Sequence, residues 1–330
     1  MTMFNKAGGG RPKIGLALGS GSARGLAHLG VIRAIEEAGI EVDIIAGTSM
    51  GALIGAIHAA GKLDALEVYF LGFDWKTTAS FFDVVLPKSG LLDGAKVGEL
   101  VRAHIHADAI EMLSKPFAAV ATDIVSGEEV VIRSGDVIEA VRASISVPGI
   151  FTPVRSNGRI LVDGGLTNPV PVSAARAMGA DIVIAVDLNH QIIKGKNMKP
   201  LLQAAKANSE KQDGEPGRFS RWVGDYRLSM KDIKQKLLAG NTPTSAQFRK
   251  WVSAEPLPSI FEVLLASINI METRLTQTRL VLDRPDVIIQ PPLGHIRFLE
   301  FGRAEEIISI GYEHAQRQLR DNKMGIELIH

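Results

Sequence analysis

Two short apolar runs, each followed by a Gly-rich turn and then by a helical repeat, narrow the architecture of this chain more than any other feature. KIGLAL (13–18) leads into Gly19-Ser20-Gly21-Ser22-Ala23-Arg24-Gly25, and LAHLGVIRAIEEAG follows with helical spacing that ends at Gly39. VDIIA (42–46) leads into Gly47-Thr48-Ser49-Met50-Gly51, and MGALIGAIHAA follows as a helix of small residues able to lie close on a sheet. Further short β-rich runs, PFAAVATD, EEVVIR, GRILVD and DIVIAVD, are separated by the helical patterns DVIEAVRAS and PVSAARAMG. Strands alternating with helices predict an α/β fold with a mainly parallel central sheet covered on both faces.

Composition supports that class and removes others. With 46% apolar and 22% charged residues, the 330-residue chain is neither disordered nor of low complexity. The 33 glycines and 5% aromatics suit many tight turns and close helix-on-sheet packing. A net charge of +1 argues against a nucleic-acid partner. Zero cysteines exclude a disulfide framework and thiolate metal sites, no His/Asp/Glu cluster has metal-ligand spacing, and no cofactor is expected. Residues 1–12 read as a flexible leader without the apolar run of a signal peptide, which gives a cytoplasmic expectation. The uncharged stretch 44–61 is interrupted by Thr48, Ser49, His58 and four glycines, and reads as buried strand, turn and helix.

The regular pattern of a core over 13–190 breaks at an insert, 191–256. There 13 Lys/Arg face 6 Asp/Glu, and Phe219, Trp222, Val223, Tyr226, Met230, Ile233 and Leu237 fall on one helical face. Such a basic amphipathic helix is a candidate lid or peripheral contact with the inner face of a membrane, or else a packed helix with a solvated cationic side. The remainder, 257–330, completes the core with a helix from Ser259 to about Leu282, a strand DVIIQPP and a closing helix from Arg303 to Arg320.

Three stations carry the chemistry. Ser49 sits in G-x-S-x-G between a strand and a helix, the setting of a nucleophile elbow; Gly47 and Gly51 are needed because neighbouring backbones come too close for a Cβ. A structural βα turn is the alternative. The loop Gly19–Gly25 offers backbone amides and a helix N-terminus to an anion. That anion is either a phosphate or a tetrahedral oxyanion, and three residues rather than two separate Gly21 from Gly25, so the dinucleotide fingerprint is not matched. Arg24 reads as a surface or loop-bracing residue. For the proton acceptor, His190, His295, His314 and His330 follow the serine without convincing contexts, and His28 and His58 read as packed imidazoles. Asp163, delivered by GRILV into Asp163-Gly164-Gly165 at what reads as the carboxyl end of a parallel strand, is the better candidate.

Together these stations resemble the patatin-like phospholipase family: a Gly-rich loop ending in Arg-Gly, an elbow about two dozen residues on, and Asp-Gly-Gly more than a hundred later. The resemblance spans 13 to about 189 and resumes from 258 to about 319. It implies a three-layer α/β/α fold and a Ser-Asp dyad without histidine. Ser49 would attack a lipid acyl carbonyl, Asp163 would accept its proton, and amides of the loop, with Gly19, Gly21 and Ser22 as candidates, would hold the oxyanion. Arg24, Gly25, Gly47, Gly51, Gly164 and Gly165 would support them. The implied partner is a phospholipid or lysophospholipid. Ser20 and Ser22 stand where the family usually has glycine, so positive φ at either would be strained. Ser146–Phe151 and Asn168-Pro169 also match, with turn and pocket-lining roles. A nucleotide- or phosphate-binding regulatory protein, and a transacylase with the same dyad, are the competing functions.

Overall fold

A computed structural model of the chain describes residues 11–73, 94–191 and 260–321. The chain divides into two compact units, one formed by 1–194 and 267–330, the other by 195–266. Of the second unit only the start of one helix falls among the described residues, and the basic amphipathic pattern from Phe219 to Leu237 lies outside them.

The first unit is built on one sheet whose strands are β1 (Ile14–Leu18), β2 (Ile44–Thr48), β3 (Phe117–Asp123), β4 (Glu129–Ile132), β5 (Val154–Ser156), β6 (Arg159–Asp163), β7 (Ile182–Val186) and β8 (Val287–Ile289). Their order is β5-β6-β3-β2-β1-β7-β8, with β4 also paired to β3. The strands β3, β2, β1, β7 and β8 run parallel, as expected of alternating strands and helices. The helices are α1 (Ala27–Glu37), α2 (Met50–Ala59), α3 (Leu63–Leu71), α4 (Ala95–His104), α5 (Val137–Ser144), α6 (Val172–Ala177), α7 (Ile260–Asp283) and α8 (Ala304–Asp321).

Strand alternation divides the core into two faces. Ala17, Ile44, Ala46, Val183 and Ala185 meet Val172, Ala174 and Ala175 of α6, with Leu280 of α7 packed against them. On the opposite face the Cα of Gly55 in α2 lies against Ile45, Phe117 and Leu18. Helix α1 packs on that side against α8, and the contact is close: a Cβ at Gly30 would lie 2.1 Å from the carbonyl of Ile308. The result is the expected three-layer α/β/α arrangement.

Two details differ from the sequence expectations. Arg11, placed in the leader, donates two hydrogen bonds to the Asp43 carboxylate at 2.7 and 2.8 Å, so order begins before residue 13. More consequential is β6, which runs antiparallel to β3. Its register pairs Asp163 with Ala121, while Thr48 pairs with Val120 in parallel. The strand therefore enters from beyond the carboxyl ends of the parallel strands and runs back towards them. Asp163 arrives in the row that follows Thr48, beside the β2–α2 turn, by a different route from the parallel strand end that was expected.

Candidate active site

Ser49 is the single residue between β2 and α2, with φ 56° and ψ −121°, a conformation that side-chain-bearing residues rarely adopt. The turn is so tight that a Cβ at Gly47 would lie 2.3 Å from the carbonyl oxygen of Gly51, and one at Gly51 would lie 2.1 Å from that of Leu18. The strained residue is tied down by its own N–H, which donates to Ser144 Oγ at 2.9 Å, while the Ser144 hydroxyl donates to Val120 O at 2.5 Å. Helix α2, entirely buried, begins immediately after Ser49 and turns its positive end towards it.

The Ser49 hydroxyl donates to Asp163 Oδ2 at 2.6 Å. Asp163 is 2% exposed, and its other oxygen accepts the Gly165 N–H at 2.7 Å. Burial, reinforced by the negative charge of Glu272, pushes the Asp163 carboxyl up to about 8, against the opposing influence of the two hydrogen bonds. The side chains of Ser49 and Asp163 bond to each other and, at Asp163, to the Gly165 N–H, not to an imidazole. His28 donates from Nε2 to Gly19 O at 2.7 Å, and His58 is buried with Glu36 at 3.8 Å; burial lowers both imidazoles to about 4, so both are neutral at pH 7. His295 pairs with Glu306 at the surface. His314 is lowered by burial and by the nearby Arg317 and His190, and His330 lies outside the described residues.

The Gly-rich loop packs onto the same turn, since a Cβ at Gly25 would sit 2.4 Å from that of Met50. Its amides are unequal. Gly19 N–H donates to Val186 O, Ser20 N–H to Pro169 O and Ala23 N–H to Phe298 O, whereas the amides of Gly21 and Ser22 have no acceptor among the described residues. Of the three expected donors, Gly19 is thus committed to β7 and two remain. Ser22 has φ 48°, so the strain expected of a serine in this loop is present, and its hydroxyl is anchored to Phe298 O at 2.6 Å. Arg24 is buried and braces the loop: it donates to Asn189 Oδ1, Asn269 Oδ1 and Ile296 O at 2.9–3.3 Å.

A largely apolar cavity opens beside the dyad. Among the described residues, Ser22 and Ser49 are its two polar lining residues; the others are apolar, among them Met50, Leu53, Phe70, Val147, Phe151 and Phe301. Among the described residues there is no group of three His, Asp or Glu side chains placed to hold a metal, and no helix long and apolar enough to cross a membrane.

Comparison with known proteins identifies the family. A model of the patatin-like phospholipase family matches residues 16–176. An NTE family protein of Mycobacterium tuberculosis is 32% identical over 94% of this chain and 92% of its own length. The chain belongs to the patatin-like phospholipase family. It shares that membership with lysophospholipase NTE1 of Pyricularia oryzae, 28% identical over 93% of this chain but only 19% of its own, and with patatin-like phospholipase domain-containing protein 6 of mouse, 36% identical over 54% of this chain and 14% of its own. The family is one of lipid hydrolases.

Sequence reasoning missed three polar residues of this patatin-like site: Ser144, Asn189 and Glu272. Ser144 looked like the end of an amphipathic helix. Glu272 is harder to see, because it lies in a long helix where charge ordinarily marks the solvated side. The signal was an inverted pattern. Asn269, Glu272, Thr273 and Thr276 recur at i, i+3, i+4 and i+7, which puts them on one face, and the last three are buried, while Ile270 and Met271 are exposed.

Proposed function

We propose that this chain is a serine lipid acyl hydrolase of phospholipase A or lysophospholipase type, with Ser49 as nucleophile and Asp163 as base. The observation that carries the reading is the 2.6 Å bond between Ser49 Oγ and Asp163 Oδ2 at the polar end of an apolar cavity. An acyl chain suits the apolar lining of that cavity. With the chain inside, its ester carbonyl rests at Ser49. Ionised Asp163 takes the hydroxyl proton as Oγ attacks, and the developing O⁻ meets the open amides of Gly21 and Ser22 and the start of α2. Collapse expels the alcohol, which recovers the proton from Asp163. Asp163 then deprotonates water as it attacks the acyl-enzyme, and returns that proton to Ser49 Oγ as the acyl bond breaks.

A phosphate-binding role for the loop is disfavoured by the same hydrogen bonds, since most of its amides are spent within the protein. The insert 191–256 supplies the peripheral contact with an anionic membrane surface in this reading, through its basic amphipathic pattern. Product analysis on a mixed panel of phospholipids and lysophospholipids tests the assignment. Ser49→Ala and Asp163→Asn are each expected to lower acyl release by about 10³-fold or more. Hydrolysis surviving either change overturns the dyad, and loss on replacing His295 or His314 would point to a three-residue site.

A further inference from the structure

Behind Asp163 stands a second buried carboxylate, Glu272 of α7, 6% exposed. Its Oε2 accepts the Ser20 hydroxyl at 2.9 Å and the Asn189 amide at 3.2 Å. Asn189 in turn offers its oxygen to Arg24, so the loop Gly19–Gly25, the segment after β7 and α7 are joined through one polar network. The other oxygen, Oε1, faces Gly165. A Cβ at Gly165 would lie 2.3 Å from Glu272 Oε1 and 3.1 Å from Asp163 Oδ1. The two carboxyl groups therefore flank a single glycine, which is why that position has no room for a side chain, and the residue whose N–H holds Asp163 is itself pressed against Glu272.

We propose that Glu272 is a positioning residue for the dyad: it fixes the oxyanion loop through Ser20 and Asn189, and it holds a negative charge behind Asp163 that makes Asp163 a stronger base towards Ser49. The proposal rests on the dyad assigned above. The division of labour between the two acids follows from their partners. Glu272 receives two side-chain donors and lies near the Arg24 guanidinium, which burial lowers to about 10 and which stays cationic at neutral pH. Asp163 receives one hydroxyl and one backbone amide, and no cation among the described residues acts on it. Both carboxyls are raised by burial, but a proton added to the pair goes to Asp163, because the Glu272 charge is the better supported. The other charged group of the network is Asp187, which faces Arg24, while His28 on α1 faces Gly19 as a neutral ring. A base whose proton affinity is raised towards the working pH abstracts a hydroxyl proton more readily than an ordinary carboxylate.

The test is the pH profile of kcat/KM on a short acyl ester for Glu272→Gln, with the rate of Ser49 labelling by an uncharged fluorophosphonate followed in parallel. Activity of the unaltered protein requires ionised Asp163 and rises through its titration. Removing the charge at 272 is expected to move that acid limb at least about one pH unit lower, and to reduce the plateau several-fold. Glu272→Asp, which restores the charge, is expected to bring the limb back towards its original position. Glu272→Met repeats the charge removal should the glutamine variant fail to fold. An unmoved limb in a folded charge-free variant overturns the proposal, even where the plateau falls, because a merely structural brace would change amplitude alone. The dyad is tested separately by Ser49→Ala. Activity surviving that change refutes the catalytic assignment itself, whereas loss there with an unmoved limb at 272 refutes only the role of Glu272.

Discussion

Ser49 occupies a backbone conformation that costs on the order of 1–3 kcal/mol, and it persists because its neighbours leave no alternative. The N–H is bound to Ser144, and Gly47 and Gly51, two residues to either side, lie close against backbone carbonyls. Gly51→Ala would push a methyl group to 2.1 Å from Leu18 O, a rigid backbone atom. The turn must open, so the variant is expected to lose about 1–3 kcal/mol of stability and most fluorophosphonate labelling of Ser49. A full labelling rate in a folded Gly51→Ala protein would contradict the proposed geometry. Asp163 shows the opposite relation between stability and chemistry. Its carboxyl titrates near 3.8 in an unfolded chain and is raised to about 8 when folded. The native state thus holds a proton that the unfolded state releases between those values, and stability falls as pH rises through the window. Asp163→Asn removes this cost. It is expected to be inactive yet more heat-stable, with a gain of about 5 °C at pH 8 that shrinks towards pH 4. Equal melting temperatures across that range would show that the carboxyl is not strained.

At the scale of elements, the elbow depends on a helix that contributes no chemistry. Helix α5 is capped by Asp136, whose side chain accepts the N–H groups of Ile138 and Glu139, and it ends in Ser144, the residue that holds the Ser49 amide. Ser144→Ala leaves that amide and Val120 O without their shared partner in a buried place. The expected cost is about 1–3 kcal/mol of stability, with a drop in kcat larger than any change in KM. An unchanged kcat would mean that the turn is held by other means. Much of this layer was legible in the sequence. The two strand–turn–helix units, the position of the elbow and the arrival of Asp163 at the end of a strand all follow from local pattern. The direction of β6 did not, because a five-residue strand reads alike whether its partner runs parallel or antiparallel; hydrogen-bond register, not composition, brings Asp163 level with Ala121. Helix α7 was placed correctly but its inward face was not read, since polar residues at helical spacing ordinarily mark solvent and here mark the interior.

For the molecule as a whole, the site is completed by residues distant in sequence. The first third of the chain supplies the loop and the nucleophile, the middle supplies the base, and the segment after 260 supplies Glu272, Phe298 and Phe301. That reach across the chain is why the individual motifs were legible while the network joining them was not. Charge is distributed on the same scale with opposing signs. His28 and His58 are buried in α1 and α2, with proton affinities lowered from 6.5 to about 4. The unfolded chain binds protons there that the native state refuses, so their contribution is complete above 6.5 and is lost as pH falls towards 4. Asp163 acts in the other direction over the overlapping range, which places the greatest stability between the two extremes. Replacing both imidazoles in His28→Gln/His58→Gln removes the acidic term. Urea midpoints measured from pH 7 to 4 are expected to fall steeply for the unaltered protein, with the two rings contributing on the order of a few kcal/mol, and to fall less for the double variant. Parallel slopes in the two proteins would show that acid unfolding is driven from elsewhere, most directly by the surface carboxylates that Arg11 and Arg303 hold below their ordinary range.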